Sequence, residues 1–129
     1  MDNKGFTLIE LLMGLVIISI IVTLIMLSIN STLSISKEKS YDILKNNVIK
    51  ASNTYIIECE YNTINCDNDY VWENNNTSFL ANNLISRGFF NKNQLINPIT
   101  DQDISNCLII NVHKDTNEVY NISIDDSKC

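Results

Sequence analysis

The sequence is short of several things at once. It has one histidine, one proline, three glycines and nine Lys+Arg among 129 residues. Three scattered glycines cannot form a Gly-rich phosphate loop, and no serine stands in the strained Gly-flanked turn that exposes a nucleophile. With a single imidazole, His113, acid–base and nucleophilic arrangements have little to draw on. No enzyme activity, cofactor or metal is expected. The shortage of basic residues against fifteen Asp+Glu leaves a net charge of −6. Such a chain repels phosphate, so direct nucleic-acid binding is not expected either. A second long apolar run is missing, which excludes a multi-pass membrane protein. Hydrophobic content is nonetheless 45%, too high for a chain disordered throughout.

That apolar content is unevenly placed. Phe6 to Ile29 is a run of 24 residues whose one charged residue is Glu10. As a helix it would span about 36 Å, against about 30 Å for the hydrocarbon core of a bilayer. It is longer than the apolar region of an ordinary secretory signal, and Ser28-Ile29-Asn30-Ser31-Thr32-Leu33 offers no small-residue cleavage site after it. A lone carboxylate in an apolar helix costs roughly 2.5–3.5 kcal/mol at the bilayer centre. Glu10 is one turn from the start of the run, where the cost is smaller, but it still calls for a partner. A plain membrane anchor in which Glu10 snorkels to the interface is the rival reading. Lys4 precedes the run while Lys37 and Lys39 follow it, so charge alone does not orient the chain.

Lys4-Gly5-Phe6-Thr7-Leu8-Ile9-Glu10 resembles the type IV prepilin motif. That pattern is a short basic leader ending in Gly, then Phe, a Glu four residues later, and an unbroken apolar stretch. The resemblance implies cleavage between Gly5 and Phe6 by prepilin peptidase, N-methylation of Phe6, and a mature chain Phe6–Cys129. It also implies partners: other pilin subunits, the peptidase/methylase, an inner assembly platform and membrane lipid. Cleavage would leave a free amine on Phe6, cationic near neutrality. A staggered neighbour could then set its Phe6 amine against Glu10. Such a contact is heterologous and need not close, so it builds an open filament. The pair would set register more than it adds net stability. The family often has a proline towards the end of the apolar run. None stands there in this sequence, so any bend or melting would fall at Gly14 or at Asn30-Ser31-Thr32.

The helix is expected to continue to about Ile57, because Tyr41, Leu44, Val48, Ala51, Tyr55 and Cys59 recur at three- and four-residue spacing. The expected organisation is a leader at 1–5, a transmembrane or filament-core helix at 6–29, an amphipathic continuation at 30–57 and a globular head at 58–129. The fold class is α+β, a long helix packed on a small antiparallel sheet, pilin-like. Within the head, Glu58 to Asn76 reads as a polar loop. Ser78 to Arg87 reads as a short helix with Thr77 or Ser78 as N-cap and Gly88 just past its end. Cys107–Val112 and Glu118–Ile124 read as strands joined by a Lys114–Asn117 hairpin loop, and a further strand is plausible near Trp72.

Four cysteines in an extracytoplasmic domain suggest disulfides, with three possible pairings. Cys59–Cys66 would fasten the loop to the helix end. Cys107–Cys129 would tie back the C-terminus, similar to the C-terminal disulfide loop of many pilins. Free thiols and a zinc set including His113 stay open as alternatives, although no pair has the close spacing of structural zinc sites. Asp101 and Asp103 could face Ca²⁺, but read better as solvated turn residues. Asp125-Asp126 likewise reads as a solvated tail. Trp72, Phe89 and Phe90 read as core rather than as a binding platform, and the N-x-S/T triplets carry no weight in so Asn-rich a chain. The expected function is a structural subunit of a type IV pilus, major or minor, held in the membrane with its head outside until it polymerises into a surface fimbrium for adhesion or motility. A pseudopilin of a competence or type II secretion machine shares the same N-terminus. A membrane-anchored adhesive module that never polymerises is a third possibility.

Overall fold

The computed structural model describes residues 5–61, 63–66 and 69–129. Lys4, the basic residue of the leader, lies outside them. The chain divides into two units, Met1–Ser36 and Lys37–Cys129. One helix, α1 (Leu8–Glu60, 53 residues), contributes to both.

In the first unit α1 satisfies itself. Among the described residues its apolar side chains are exposed on every side. Its hydroxyls turn back onto their own helix. Ser19 Oγ donates to the Leu15 carbonyl at 2.7 Å, Thr23 Oγ1 to Ser19 at 2.8 Å and Thr32 Oγ1 to Ser28 at 2.9 Å. In a medium without water a hydroxyl needs such a partner. The helix also runs unbroken through Gly14 and Asn30-Ser31-Thr32.

In the second unit the same helix is amphipathic. Val48, Ser52, Tyr55, Ile56 and Cys59 are buried, with Tyr41, Leu44 and Ala51 half-buried beside them. Two members of this face, Ser52 and Ile56, were not expected. Ser52 tolerates full burial because its Oγ donates to the Val48 carbonyl at 2.7 Å. The helix ends at Glu60, three residues beyond the expected Ile57 and just past Cys59, the last residue of the apolar spacing.

The sheet has three antiparallel strands in the order β1-β2-β3: β1 (Asn76–Leu80), β2 (Ile109–Lys114) and β3 (Tyr120–Asp125). The two later strands lie near their expected places, shifted by one or two residues. β1 is a correction, since Ser78–Leu80 was expected to be helical. Thr77 and Phe79 alternate inward and pair with Val112 and Ile110. Phe79 then stands edge-on to Tyr55 with ring centroids 5.2 Å apart. A turn with Asn74 and Asn75 both at positive φ leads into β1, the geometry of a tight two-residue hairpin turn. The short helix α2 is confined to Ala81–Ser86, and its N-cap is Leu80 rather than Thr77 or Ser78. It ends as expected at Gly88. The Gly88 N–H donates to Ile85 and the Phe89 N–H to Leu84, at 3.1 and 2.8 Å, with Gly88 at φ 81°. That is a Schellman closure.

Disulfides Cys59–Cys66 and Cys107–Cys129 staple the head. A small core benefits from such links, each typically worth about 2–4 kcal/mol.

Candidate functional site

The candidate site is the start of α1. Thr7 stands at the N-cap and Glu10 three positions on. The Thr7 backbone N–H donates to Glu10 Oε2 at 2.9 Å, and Thr7 Oγ1 donates to the same oxygen at 2.8 Å. In return Thr7 Oγ1 lies 3.4 Å from the Glu10 N–H. Thr7-Leu8-Ile9-Glu10 is therefore a capping box, in which side chains satisfy backbone N–H groups that a helix start leaves open. The T-x-x-E spacing is legible in the sequence, but the lone charge of Glu10 in an apolar run is the louder signal and masks the role of Thr7. Both bonds from Thr7 to the Glu10 carboxylate end on Oε2, and among the described residues no further donor is recorded at Oε1.

Phe6, just before the cap, is 88% exposed. Gly5 is not demanded by the fold. A Cβ built there would meet nothing within 4 Å, and its φ is not in the left-handed region.

The other predicted residues are held in structural roles. Asp126 is no solvated tail: its Oδ2 accepts from Tyr41 Oη at 2.9 Å and pairs with Lys45 Nζ at 2.6 Å. Lys45 first and Tyr41 second hold the Asp126 carboxyl below the usual carboxylate range. Burial, and then the Asp126 carboxylate, push the Tyr41 phenol up to about 12. Asp103 Oδ1 accepts from the Ser105 N–H at 2.8 Å, and Asp101 sits at φ 57° in the same loop. All four cysteines are in disulfides and His113 Nδ1 lies 2.8 Å from Asn76 Oδ1, so the zinc alternative is not assembled. Trp72 Nε1 donates to Glu60 Oε1 at 2.8 Å, and its ring packs against Tyr70 and Tyr120.

One hub had no sequence signal. Asp69 Oδ2 accepts from Tyr55 Oη at 2.7 Å and from Arg87 Nε at 2.8 Å, while its carbonyl accepts from Asn83 Nδ2 at 3.1 Å. It ties the loop before β1 to both α1 and α2. The Arg87 bond is the main reason that the Asp69 carboxyl titrates low, against the effect of burial.

Residues 1–26 match the family described as the prokaryotic N-terminal methylation motif. The chain carries the type IV pilin and pseudopilin signature. No curated protein and no solved structure matches it. The pilin-like α+β architecture is borne out by the long helix and three-stranded sheet. The signature is that of structural subunits rather than enzymes, and implies processing by prepilin peptidase and assembly with other pilin subunits. The described residues also include one helix long and apolar enough to cross a membrane, and with the signature it points to a membrane-anchored protein.

Proposed function

We propose that this chain is a structural subunit of a type IV pilus. It is cleaved between Gly5 and Phe6, methylated on the Phe6 amine, and held in the membrane by residues 6–29 until it polymerises, with residues 58–129 outside. The observation that carries this reading is the coincidence of the signature with a helix whose apolar side chains are exposed among the described residues. Such a surface needs either lipid or other helices. A filament core supplies the second, and Glu10 then receives a neighbour's Phe6 ammonium. The test is mass spectrometry of the extracted protein together with sheared-filament fractions. Wild type should begin at N-methylated Phe6 and appear in filaments, and Gly5→Val should stay unprocessed. An intact Met1 terminus in wild-type membranes sinks the reading.

A second reading is favoured by the same signature, which pseudopilins of competence and secretion machines share. It predicts identical processing and short assemblies confined to the envelope. Imaging of filament length in cells that overproduce the subunit separates the two.

A further inference from the structure

The outer face of the sheet carries a neutral grid of hydrogen-bonding side chains. Strand alternation sends Thr77, Phe79, Ile110 and Val112 into the core and turns Asn76, Ser78, Asn111, His113, Asn121 and Ser123 outward, all six exposed. The strand register sets them in two rows across the sheet, Asn76–His113–Asn121 and Ser78–Asn111–Ser123. Neighbours in a row stand about 5 Å apart, and the rows about 7 Å apart. Together with Val71, Glu73 and Asn74 from the segment before β1, these six line a depression of about 740 Å³.

One row is already oriented. Asn76 Nδ2 donates to the Asn74 carbonyl at 3.1 Å, which turns Asn76 Oδ1 towards His113 Nδ1 at 2.8 Å. The imidazole proton therefore sits on Nδ1, and Nε2 is an acceptor in the neutral ring. Among the described residues the side chains of Ser78, Asn111, Asn121 and Ser123 bond to no other group of the chain. Each of these amides and hydroxyls both donates and accepts, and strands fix their spacing more firmly than loops do. The chemistry on offer is narrow. Among the described residues no lysine or arginine lines the depression and its one carboxylate is Glu73, so nothing there neutralises an anion. Val71 is its one exposed aliphatic side chain, so an apolar ligand finds little to cover it. The ligand that fits presents many uncharged groups that donate and accept in turn, which is the chemistry of a polyol.

We infer that this sheet face binds a neutral carbohydrate, whose hydroxyls exchange hydrogen bonds with Asn111, Asn121 and Ser123 and donate to His113 Nε2. Such bonds replace bonds to water and each adds little, so a single face binds weakly. A filament repeats the face along its length, and several weak contacts to one polysaccharide then add through avidity. That gain rests on the polymerising subunit proposed above, whereas the face itself is complete in one copy.

The experiment applies the full chain, held in a polyoxyethylene detergent that contains no sugar, and sheared filaments to an array of immobilised oligosaccharides. The array carries neutral hexose and N-acetylhexosamine chains beside sialylated and sulfated ones. The expected result is retention on neutral chains only, equal at low and high salt because no charge pair forms, and stronger for filaments. Asn111→Ala with Ser123→Ala should lower retention roughly tenfold, the loss of two hydrogen bonds. The head should still melt at the wild-type temperature, since both side chains are exposed. Asn53→Ala, on an exposed position of α1, should change nothing. The site is overturned if filaments pass over every neutral chain, if sialylated or sulfated chains are retained best, or if the double variant binds as wild type does. Self-association that the double variant abolishes assigns the face to a second copy and overturns the carbohydrate site as well. Wild type that is neither cleaved nor polymerised, yet is retained on neutral chains from detergent, overturns the filament reading and the avidity while upholding the face.

Discussion

One helix serves the chain under two opposite regimes. Over the described residues from Leu8 to Leu33 its apolar side chains are exposed, and the hydroxyls of Ser19 and Thr23 bond within the helix itself. From Lys37 on it contributes one buried face to a core, and its polar groups reach other elements through Tyr41–Asp126, Tyr55–Asp69 and Trp72–Glu60. The first part therefore depends on its surroundings for burial, and the second on its own sheet. Most helical stability in proteins comes from tertiary packing rather than propensity. A helix that carries none of its own packing is a helix built for a foreign environment. The comparison separates substitutions that should alter assembly from those that should alter folding.

The sharpest break is at Glu10. Glu10→Ala removes both the cap and the proposed acceptor of a neighbour's ammonium. A buried pair that loses one partner costs about 3–5 kcal/mol, so processed Glu10→Ala should be nearly absent from sheared filaments while remaining abundant in membranes. Thr7→Val removes only the hydroxyl half of the capping box, worth about 1 kcal/mol, and should give a partial defect. The head should melt at the wild-type temperature in both variants. Equal incorporation of wild type and Glu10→Ala would favour the plain anchor. In the other regime, Ile56→Ala empties a fully buried position and should cost the head about 2–5 kcal/mol. Ile21→Ala, in the exposed run, should leave head unfolding unchanged. A denaturant titration followed by Trp72 fluorescence reads both.

Next in size are the staples. Cys107→Ser with Cys129→Ser frees the C-terminal segment, which Asp126 would then hold through Tyr41 and Lys45 alone. The expected loss is about 2–4 kcal/mol, and reduction of wild type should reproduce the part of it due to this bond. A head whose midpoint is the same with and without reductant would remove the staples from the account.

How far these features could be read beforehand follows the same division. The first unit is written linearly: a run of apolar residues, one carboxylate and a short leader need no tertiary partner to be interpreted. The head is written in contacts between distant residues. Phe79, Leu80, Leu84 and Ile85 fit a helical spacing as well as anything in the sequence, and only the β2 partners Ile109–Val112 draw Asn76–Leu80 into a strand. Asp69 and Asp126 look like ordinary loop acids until Arg87 and Lys45, 18 and 81 positions away, are placed beside them. Ser52 looks like a solvent-facing residue in the sequence, because only the structure shows its helix-internal bond to Val48. Gly88 was legible because a helix end is a local event.

Acid should loosen the second regime. Asp69 and Asp126 both titrate below their unfolded value near 3.8. Groups with depressed folded pKa values stabilise the head above that value, and the contribution is lost as pH falls through the folded pKa. Head stability should therefore be level near neutrality and fall below about pH 4. Both carboxylates are partly exposed, so screening keeps the effect modest. Asp69→Asn with Asp126→Asn should be less stable at neutral pH and show a shallower acid slope. An unchanged slope would mean that other carboxylates govern the acid limb.

The smallest effect compares two glycines. Gly88 ends α2 at φ 81°, a conformation that costs an L side chain about 1–2 kcal/mol. A Cβ at Gly88 would touch nothing within 4 Å, so Gly88→Ala should show that backbone cost alone, as a lowered head melting temperature. Gly14 lies inside α1, also with nothing within 4 Å of an added Cβ and without a left-handed φ. There the change to Ala should favour the helix by up to about 1 kcal/mol and leave the head untouched. Because Gly14 faces surroundings that the isolated chain does not contain, filaments supply the second reading. Normal assembly of Gly14→Ala means the site stays open in the polymer. Impaired assembly with normal processing means a neighbouring helix comes close at Gly14. Either outcome leaves the two glycines with opposite signs in the isolated chain, one set by backbone conformation and the other by helix propensity.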